Sequence, residues 1–217
     1  MSKLVTVTAF LISVEDKPHL AVEFTIAPKW HIYWENPGQS GLATEVEATG
    51  LDEDLLYLGP ERISAAGGLV NYGYHNQTTI FGAVDSNYTL QDAISISWLV
   101  CKEDQCIRQS TSIQAQKPNT QQQAKIKQTF ATLPKPMPSQ IKPNTNEKQF
   151  ALVWPNAVEL QVFPDEDLEL VISDMKIHKQ TEGSQLQIKF KRPPPKQAGG
   201  IVGVKINGKV EYYLLSL

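Results

Sequence analysis

The chain has 217 residues, a formal net charge of −3, 41% apolar residues and 20% charged residues. That length admits one large domain or two modest ones, each able to bury a core, and the ordinary composition excludes wholesale disorder or a fibre. The absence of a basic stripe or an Arg-rich face excludes a phosphate-tracking nucleic-acid binder.

The first segment, Leu4 to Val14, alternates apolar and polar residues and is interrupted by Thr6, Thr8 and Ser13. It is far from the run of about 18 apolar residues that crosses a bilayer. Met1-Ser2-Lys3 leads straight into it, with no charged start followed by an apolar stretch. An export signal is therefore expected to have been removed ahead of it. Leu20, Val22, Phe24 and Ile26 continue the two-residue period over His19–Ala27, with Asp16-Lys17-Pro18 expected as the turn between. Thr44–Ala48, Thr78–Val84, Ala93–Cys101 and Thr111–Gln116 follow at short spacing, with Gly, Asn, Asp and Pro in the gaps. Many short strands with turns between them predict a sandwich or barrel.

One segment reads as a helix. Thr120 with Gln123 has the form of a capping box, and Ile126, Phe130 and Leu133 fall at i, i+4 and i+7. The helix is expected to pack on an edge of a first domain spanning 1–133. Pro134, Pro136, Pro138 and Pro143 then predict an extended linker over 134–149. Beyond it, Phe150–Trp154, Glu159–Phe163, Leu168–His178 and Gln185–Lys191 read as strands. Asn207-Gly208 between Val202–Ile206 and Lys209–Leu214 is the dipeptide of a tight hairpin. The expectation is an all-β chain: two small β-sandwiches, 1–133 and 150–217, joined by a Pro-rich linker, with one short helix before it.

The chemistry that stands out is the pair of cysteines, Cys101 and Cys106, in Trp98-Leu99-Val100-Cys101-Lys102-Glu103-Asp104-Gln105-Cys106. The spacing permits a hairpin-like loop to join the sulfurs. A structural disulfide is one reading, but closing so short a loop stabilises by only about 2 kcal/mol, against about 4.7 for a hundred-residue loop. Metal binding is another, with His31 and His75 as the available helpers, although no ligand-like spacing links the four histidines. A redox-active pair is the third. Lys102 and Arg108 favour thiolate while Glu103 and Asp104 oppose it, so no strongly depressed thiol pKa is predicted.

An aromatic cluster, Trp30-His31-Ile32-Tyr33-Trp34-Glu35-Asn36-Pro37-Gly38, is followed by Asn71-Tyr72-Gly73-Tyr74-His75. Alternation puts His31 and Tyr33 on the face opposite Ile32 and Trp34, so one pair should lie outside the core and be able to cover something. Core packing of Trp30 and Trp34 competes with an aromatic ligand platform.

The run from Trp30 through Gly38-Gln39-Ser40-Gly41-Leu42, then Asn71-Tyr72-Gly73-Tyr74, then Trp98-Leu99-Val100-Cys101 through Cys106, resembles the N-terminal periplasmic region of DsbD- and ScsB-type thiol:disulfide interchange proteins. The second domain, with its Gly203-to-Lys209 hairpin, is similar to the second β-sandwich of the longer members. The resemblance implies immunoglobulin-like domains, no cofactor and no metal. It implies that Cys101 and Cys106 carry electrons from a thioredoxin-like domain of a membrane reductase to periplasmic thioredoxin-fold proteins, the membrane being reached only through a C-terminal region beyond this sequence. It also implies that Cys106 joins the partner in the mixed disulfide and Cys101 resolves it. The aromatic cap of the DsbD branch corresponds to Tyr72, Tyr74 and Asn71, the last standing in place of a phenylalanine. Tyr33 aligns with a tyrosine beside the site, and His31 and Trp34 are auxiliary candidates.

Overall fold

The structure, a computed structural model, describes residues 3–52, 54–103, 105–166, 168, 170, 176–180, 183–195 and 198–217. The chain divides into two units, Met1–Leu133 and Pro134–Leu217. No helix among the described residues is long and apolar enough to cross a membrane.

The first unit contains β1 (Val5–Val14), β2 (Lys17–Ile26), β3 (His31–Gly38), β4 (Glu45–Ala48), β5 (Leu56–Tyr57), β6 (Glu61–Ser64), β7 (Val70–His75), β8 (Gln77–Ala83), β9 (Ala93–Lys102), β10 (Gln105–Gln114) and α1 (Thr120–Phe130). One sheet has the order β1-β2-β8-β5 and the other β10-β9-β3-β7-β6, with β4 also paired to β9. Two-residue alternation builds the core between them. Ile94, Ile96, Trp98 and Val100 of β9 are buried, while Ser95, Ser97 and Leu99 between them are not. Phe24 of β2 meets Trp98 edge-on at 6.1 Å, tying one sheet to the other. The turn between β1 and β2 is Glu15-Asp16, both at positive φ, so Lys17 and Pro18 already belong to β2 instead of the turn.

The helix sits one residue from where its cap was expected. Asn119 is the N-cap: its Oδ1 accepts from the Gln122 amide and its own amide donates to Gln122 Oε1, both at 2.9 Å. Asn competes strongly for this position because its short carbonyl reaches the free amides of the first turn. Nor does α1 pack on an edge. Ile126 joins Phe10, Ile12, Ala21 and Phe81 on the outer face of the first sheet, with Phe130 and Leu133 packed alongside. That face is apolar and needs a cover, which explains why Ala21 is as buried as its neighbours Leu20 and Val22.

The second unit contains β11 (Lys135–Pro136), β12 (Asn144–Thr145), β13 (Gln149–Pro155), β14 (Glu159–Pro164), β15 (Lys176–Gln180), β16 (Gly183–Lys189), β17 (Gly199–Ile206) and β18 (Lys209–Ser216). They form two four-stranded sheets, β11-β18-β17-β14 and β12-β13-β16-β15. The Asn207-Gly208 turn is present, with φ of 50° and 79°. Most of the strand expected over Leu168–His178 lies outside the described residues, and its Ile177 and His178 fall in β15. The chain is all-β, with immunoglobulin-like sandwich architecture.

The expected linker is a correction. Residues 134–149 supply β11, which pairs in parallel with β18, and β12, which pairs with β13. Ile141 is buried with Phe150, Leu152 and Leu186, and Met137 packs against the same cluster. The prolines mark turns and edges of the second unit, where a missing amide does no harm. Ile141→Ala should therefore destabilise the second unit by about 2–4 kcal/mol. Amide hydrogen exchange of the full chain should show lost protection in β13 and β16 and none in β1 and β2; a linker residue would change neither.

Candidate functional site

The cysteines are placed by a hairpin. β9 and β10 pair antiparallel from Lys102↔Gln105 onward, so Cys101 stands directly opposite Cys106, with a Cα–Cα distance of 4.1 Å and a disulfide between them. Glu103 enters the turn at φ 41°, and Asp104 lies outside the described residues. The burial alternation of β9 puts Cys101 on the outer face of its sheet, away from Val100 and the core. Yet Cys101 is only 2% exposed, while Cys106, on the edge strand, is exposed.

Register carries the same row across the sheet. Cys101 pairs with His31 of β3, and His31 pairs with His75 of β7. The row therefore reads Cys106, Cys101, His31, His75 on one face. The His31 and His75 rings lie 5.5 Å apart, His31 Nε2 is 3.4 Å from the Tyr33 hydroxyl, and His75 Nδ1 is 2.9 Å from Glu61. Burial, with a smaller contribution from His75, lowers the His31 pKa from 6.5 to about 4. Burial also raises that of the Tyr33 hydroxyl, an effect the adjacent Asn71 side chain partly offsets. On the other face at this end of β9, Lys102 Nζ lies 4.9 Å over the Trp30 ring.

The expected alternation of Trp30 to Trp34 is present: Ile32 faces Tyr74, and His31 and Tyr33 share the cysteine face. Neither pair is uncovered, because Tyr33 is 3% and His31 8% exposed. Chain 38–41 folds over the tyrosine. The Ser40 amide and hydroxyl both donate to Asn71 Oδ1, at 2.9 and 3.0 Å, and Gly41 at φ 105° lies so close to the Tyr33 ring that a methyl group would collide with it. Thr44 Oγ1 donates to the Tyr33 carbonyl at 2.7 Å.

The expected cap does not form from these residues. Tyr72 and Tyr74 alternate with Asn71, Gly73 and His75 and point into the sandwich, where Tyr72 meets Trp34 edge-on at 6.3 Å and the Tyr74 hydroxyl donates to the Leu58 carbonyl. Trp34 is a core residue, with no surface exposed. Asn71 is on the cysteine face, but four residues along β7 from the row, roughly 13 Å at strand spacing. Of the residues expected around the pair, the structure brings together Cys101, Cys106 and His31, with Tyr33 next along β3. His75 was expected beside His31 and the cysteines only as a helper to a metal, and Glu61 was not expected there, because a cross-strand neighbour depends on a register that no local pattern shows. Among the described residues, no group of three or more His, Cys, Asp or Glu side chains is arranged to hold a metal.

The geometry is that of a short-range disulfide with one open and one enclosed sulfur. A family model for the N-terminal part of the thiol:disulfide interchange protein DsbD matches residues 3–118. Among solved structures, the N-terminal periplasmic domain of ScsB from Proteus mirabilis has a similar fold. It aligns over 98% of this chain and 92% of that one, with a TM-score of 0.74 at 15% identity. The reduced N-terminal domain of DsbD from Neisseria meningitidis aligns with 50% of this chain and 85% of its own, at 12% identity and a TM-score of 0.36. No curated protein sequence matches.

Two outcomes follow from the site's burial. After reduction, iodoacetamide should alkylate Cys106 at least about tenfold faster than Cys101, read by peptide mass mapping, since access controls thiol reactivity. In acid, His31 must take up a proton in the unfolded chain near pH 6.5 but in the folded chain only near 4. The unfolded state then binds more protons in that window, so stability is full above it and falls as pH drops from about 6.5 to about 4. His31→Gln should flatten this part of the denaturation-versus-pH curve.

Proposed function

Because this chain belongs to the family of the DsbD N-terminal domain, we propose that it relays electrons in the periplasm by thiol–disulfide exchange at Cys101 and Cys106. The observation that carries the reading is the asymmetry of the pair, an exposed Cys106 joined across one hairpin to a 2% exposed Cys101. A staple has no use for so short a loop, whereas an exchanging pair needs one sulfur that a partner can reach and a second held beside it.

The electron donor is a thioredoxin-like domain of a membrane reductase, and the acceptors are periplasmic thioredoxin-fold proteins. In the reduced chain the Cys106 thiolate attacks an acceptor disulfide. A Cys106–acceptor bond forms, the acceptor's own bond breaks, and its released thiolate takes a proton. The Cys101 thiol then loses its proton, and its sulfur attacks Cys106. The internal disulfide closes and the acceptor leaves as a dithiol, two electrons and two protons richer. Recharging runs the same steps backward from the donor domain, and the direction follows the relative reduction potentials. The second unit contains no cysteine and serves as a spacer or docking module.

Trapping tests the assignment. With a thioredoxin-like partner that lacks its resolving cysteine and carries its remaining cysteine as an activated mixed disulfide with thionitrobenzoate, the Cys101→Ser chain should displace the thionitrobenzoate thiolate and accumulate the protein–protein mixed disulfide and the Cys106→Ser chain should not, read by non-reducing gels and mass spectrometry. The reverse pattern overturns the roles, and trapping by neither variant overturns exchange itself.

A further inference from the structure

Each round of exchange makes Cys101 give up a proton and take one back, yet the residue is 2% exposed, so bulk water does not reach its sulfur to carry that proton. An exposed thiol such as that of Cys106 trades protons with solvent directly. The enclosed one needs a neighbour.

The outer face of the second sheet supplies one. His31 of β3 is the cross-strand partner of Cys101, and side chains directly opposed on one face of an antiparallel pair have Cβ atoms about 4.5–5.5 Å apart. Beyond it His75 of β7 opposes His31, with the rings edge to face at 5.5 Å, and Glu61 of β6 lies 2.9 Å from His75 Nδ1. An ionised carboxylate only accepts, so His75 donates through Nδ1 and keeps Nε2 as its proton acceptor. Exposure rises outward along this line: His31 is 8% exposed, whereas the side chains of His75 and Glu61 are 35% and 57% exposed. The row thus runs from an enclosed sulfur to open solvent through groups that can each carry a proton.

Among the described residues, the other titratable and charged groups near His31 do not compete. The Tyr33 hydroxyl, 3.4 Å from His31 Nε2, stays protonated because burial raises its pKa. Arg108, on β10 opposite Leu99, is exposed and does not give up its proton. Lys102 is turned over Trp30 on the opposite face. Chain 38–41, which covers Tyr33, contains no titratable side chain.

We propose that His31 is the proton acceptor for the Cys101 thiol, and that His75 and Glu61 complete a path carrying the proton from the enclosed sulfur to solvent. It rests on the exchange reading and adds the group that starts its resolving step. As Cys101 attacks the Cys106–partner bond, the internal disulfide forms, the electron pair of the broken bond leaves on the partner's sulfur, and the thiol proton passes to a ring nitrogen of His31. The other nitrogen of His31 passes a proton to His75, directly or through one water, and His75 gives one to solvent. When the donor recharges the pair, the electron pair leaves on Cys101 and a proton follows the same path inward to that thiolate. Imidazole suits the task because its two nitrogens exchange donor and acceptor roles. Burial keeps His31 uncharged at neutral pH, so the ring is unprotonated when the thiol presents its proton and holds that proton only in passing.

Stopped-flow release of thionitrobenzoate tests the path. The reduced full chain is mixed with excess dithiobis(nitrobenzoate). Cys106 attacks first and frees one thionitrobenzoate at a rate that scales with reagent concentration; Cys101 then displaces the second at a rate independent of it. In the wild type the second rate should change little between about pH 6 and about pH 8. In His31→Gln it should be at least about tenfold slower at about pH 7 and rise about tenfold per pH unit, the two chains converging above the ordinary thiol pKa of about 8.5, where thiolate forms without help. His75→Ala, at the exposed end where truncation costs little stability, should slow the second rate in the same pH-dependent way, and imidazole added to the solvent should restore it. A second rate that neither substitution changes, or that falls by the same factor at every pH, overturns the path and leaves exchange standing. Slowing by His31→Gln alone, or a His75→Ala chain that imidazole does not restore, overturns the path beyond His31. If His31→Gln cannot fold, His75→Ala decides by the same criteria. A wild-type chain with no concentration-independent release overturns the exchange reading, and the path with it.

Discussion

A two-residue loop between antiparallel strands leaves no freedom of register: once Lys102 faces Gln105, Cys101 faces Cys106 and every residue of β9 has its partner and its side assigned. The two-residue period then does the rest. Val100, Trp98, Ile96 and Ile94 go to the core, and Cys101 is sent to the other face, where His31 of β3 is its neighbour and His75 the next. A slip of one residue would put Ser97, Leu99 and Cys101 on the core face in place of Ile96, Trp98 and Val100 and turn the reactive pair inward. The hydrophobic cost of that slip, several large apolar side chains exposed at about 1.5–3 kcal/mol each, is what holds the cysteines where they are. The site is thus stabilised by residues that take no part in its chemistry.

The two sheets of the first unit solve the problem of their outer faces differently. The first sheet has an apolar outer face, Phe10, Ile12, Ala21 and Phe81, and covers it with Ile126 of the helix. The second carries the cysteine row on its outer face. Its cover is local: chain 38–41 folds back from β3, pinned by two hydrogen bonds from Ser40 to Asn71, with Gly41 against Tyr33. That arrangement explains why a polar residue such as Asn71 can be 1% exposed, since its carbonyl is satisfied twice. It also leaves the β10 edge bare.

What the sequence showed and what it hid divide along the same physical line. Alternation is local, so the strands around Leu20 to Ile26, Ile94 to Val100 and the Asn207-Gly208 hairpin were legible, as was the separation of His31 and Tyr33 from Ile32 and Trp34. Pairing is not local. Nothing in Tyr72-Gly73-Tyr74 reveals that His31 opposes His75, and that register is what sends both tyrosines into the core instead of over the sulfurs. The prolines of 134–149 misled for a related reason. Their spacing suggests an extended segment, which is correct, but extended backbone can be a linker or an edge strand, and only the burial of Ile141 against a distant Phe150 and Leu186 decides. The helix cap missed by one residue because Asn119 and Thr120 are both good capping residues, and the choice rests on which backbone turns extended.

The charge state of the row bears on which direction electrons prefer to flow. A cation beside a dithiol stabilises thiolate, favours the reduced form and makes the disulfide a better oxidant. His31 is the neighbour that could have played that part, yet burial and His75 hold its pKa at about 4, so at neutral pH it faces Cys101 as an uncharged imidazole. Lys102 does not substitute for it, because its ammonium lies over Trp30 on the opposite face. Among the described residues of β10, Arg108 lies on the cysteine face two residues from Cys106, exposed, where solvent screens its field. Nothing in the enclosed part of the row therefore holds Cys101 as a thiolate. A pair whose reduced form receives no such help gives up electrons more readily than one that does, the direction that the proposed relay requires.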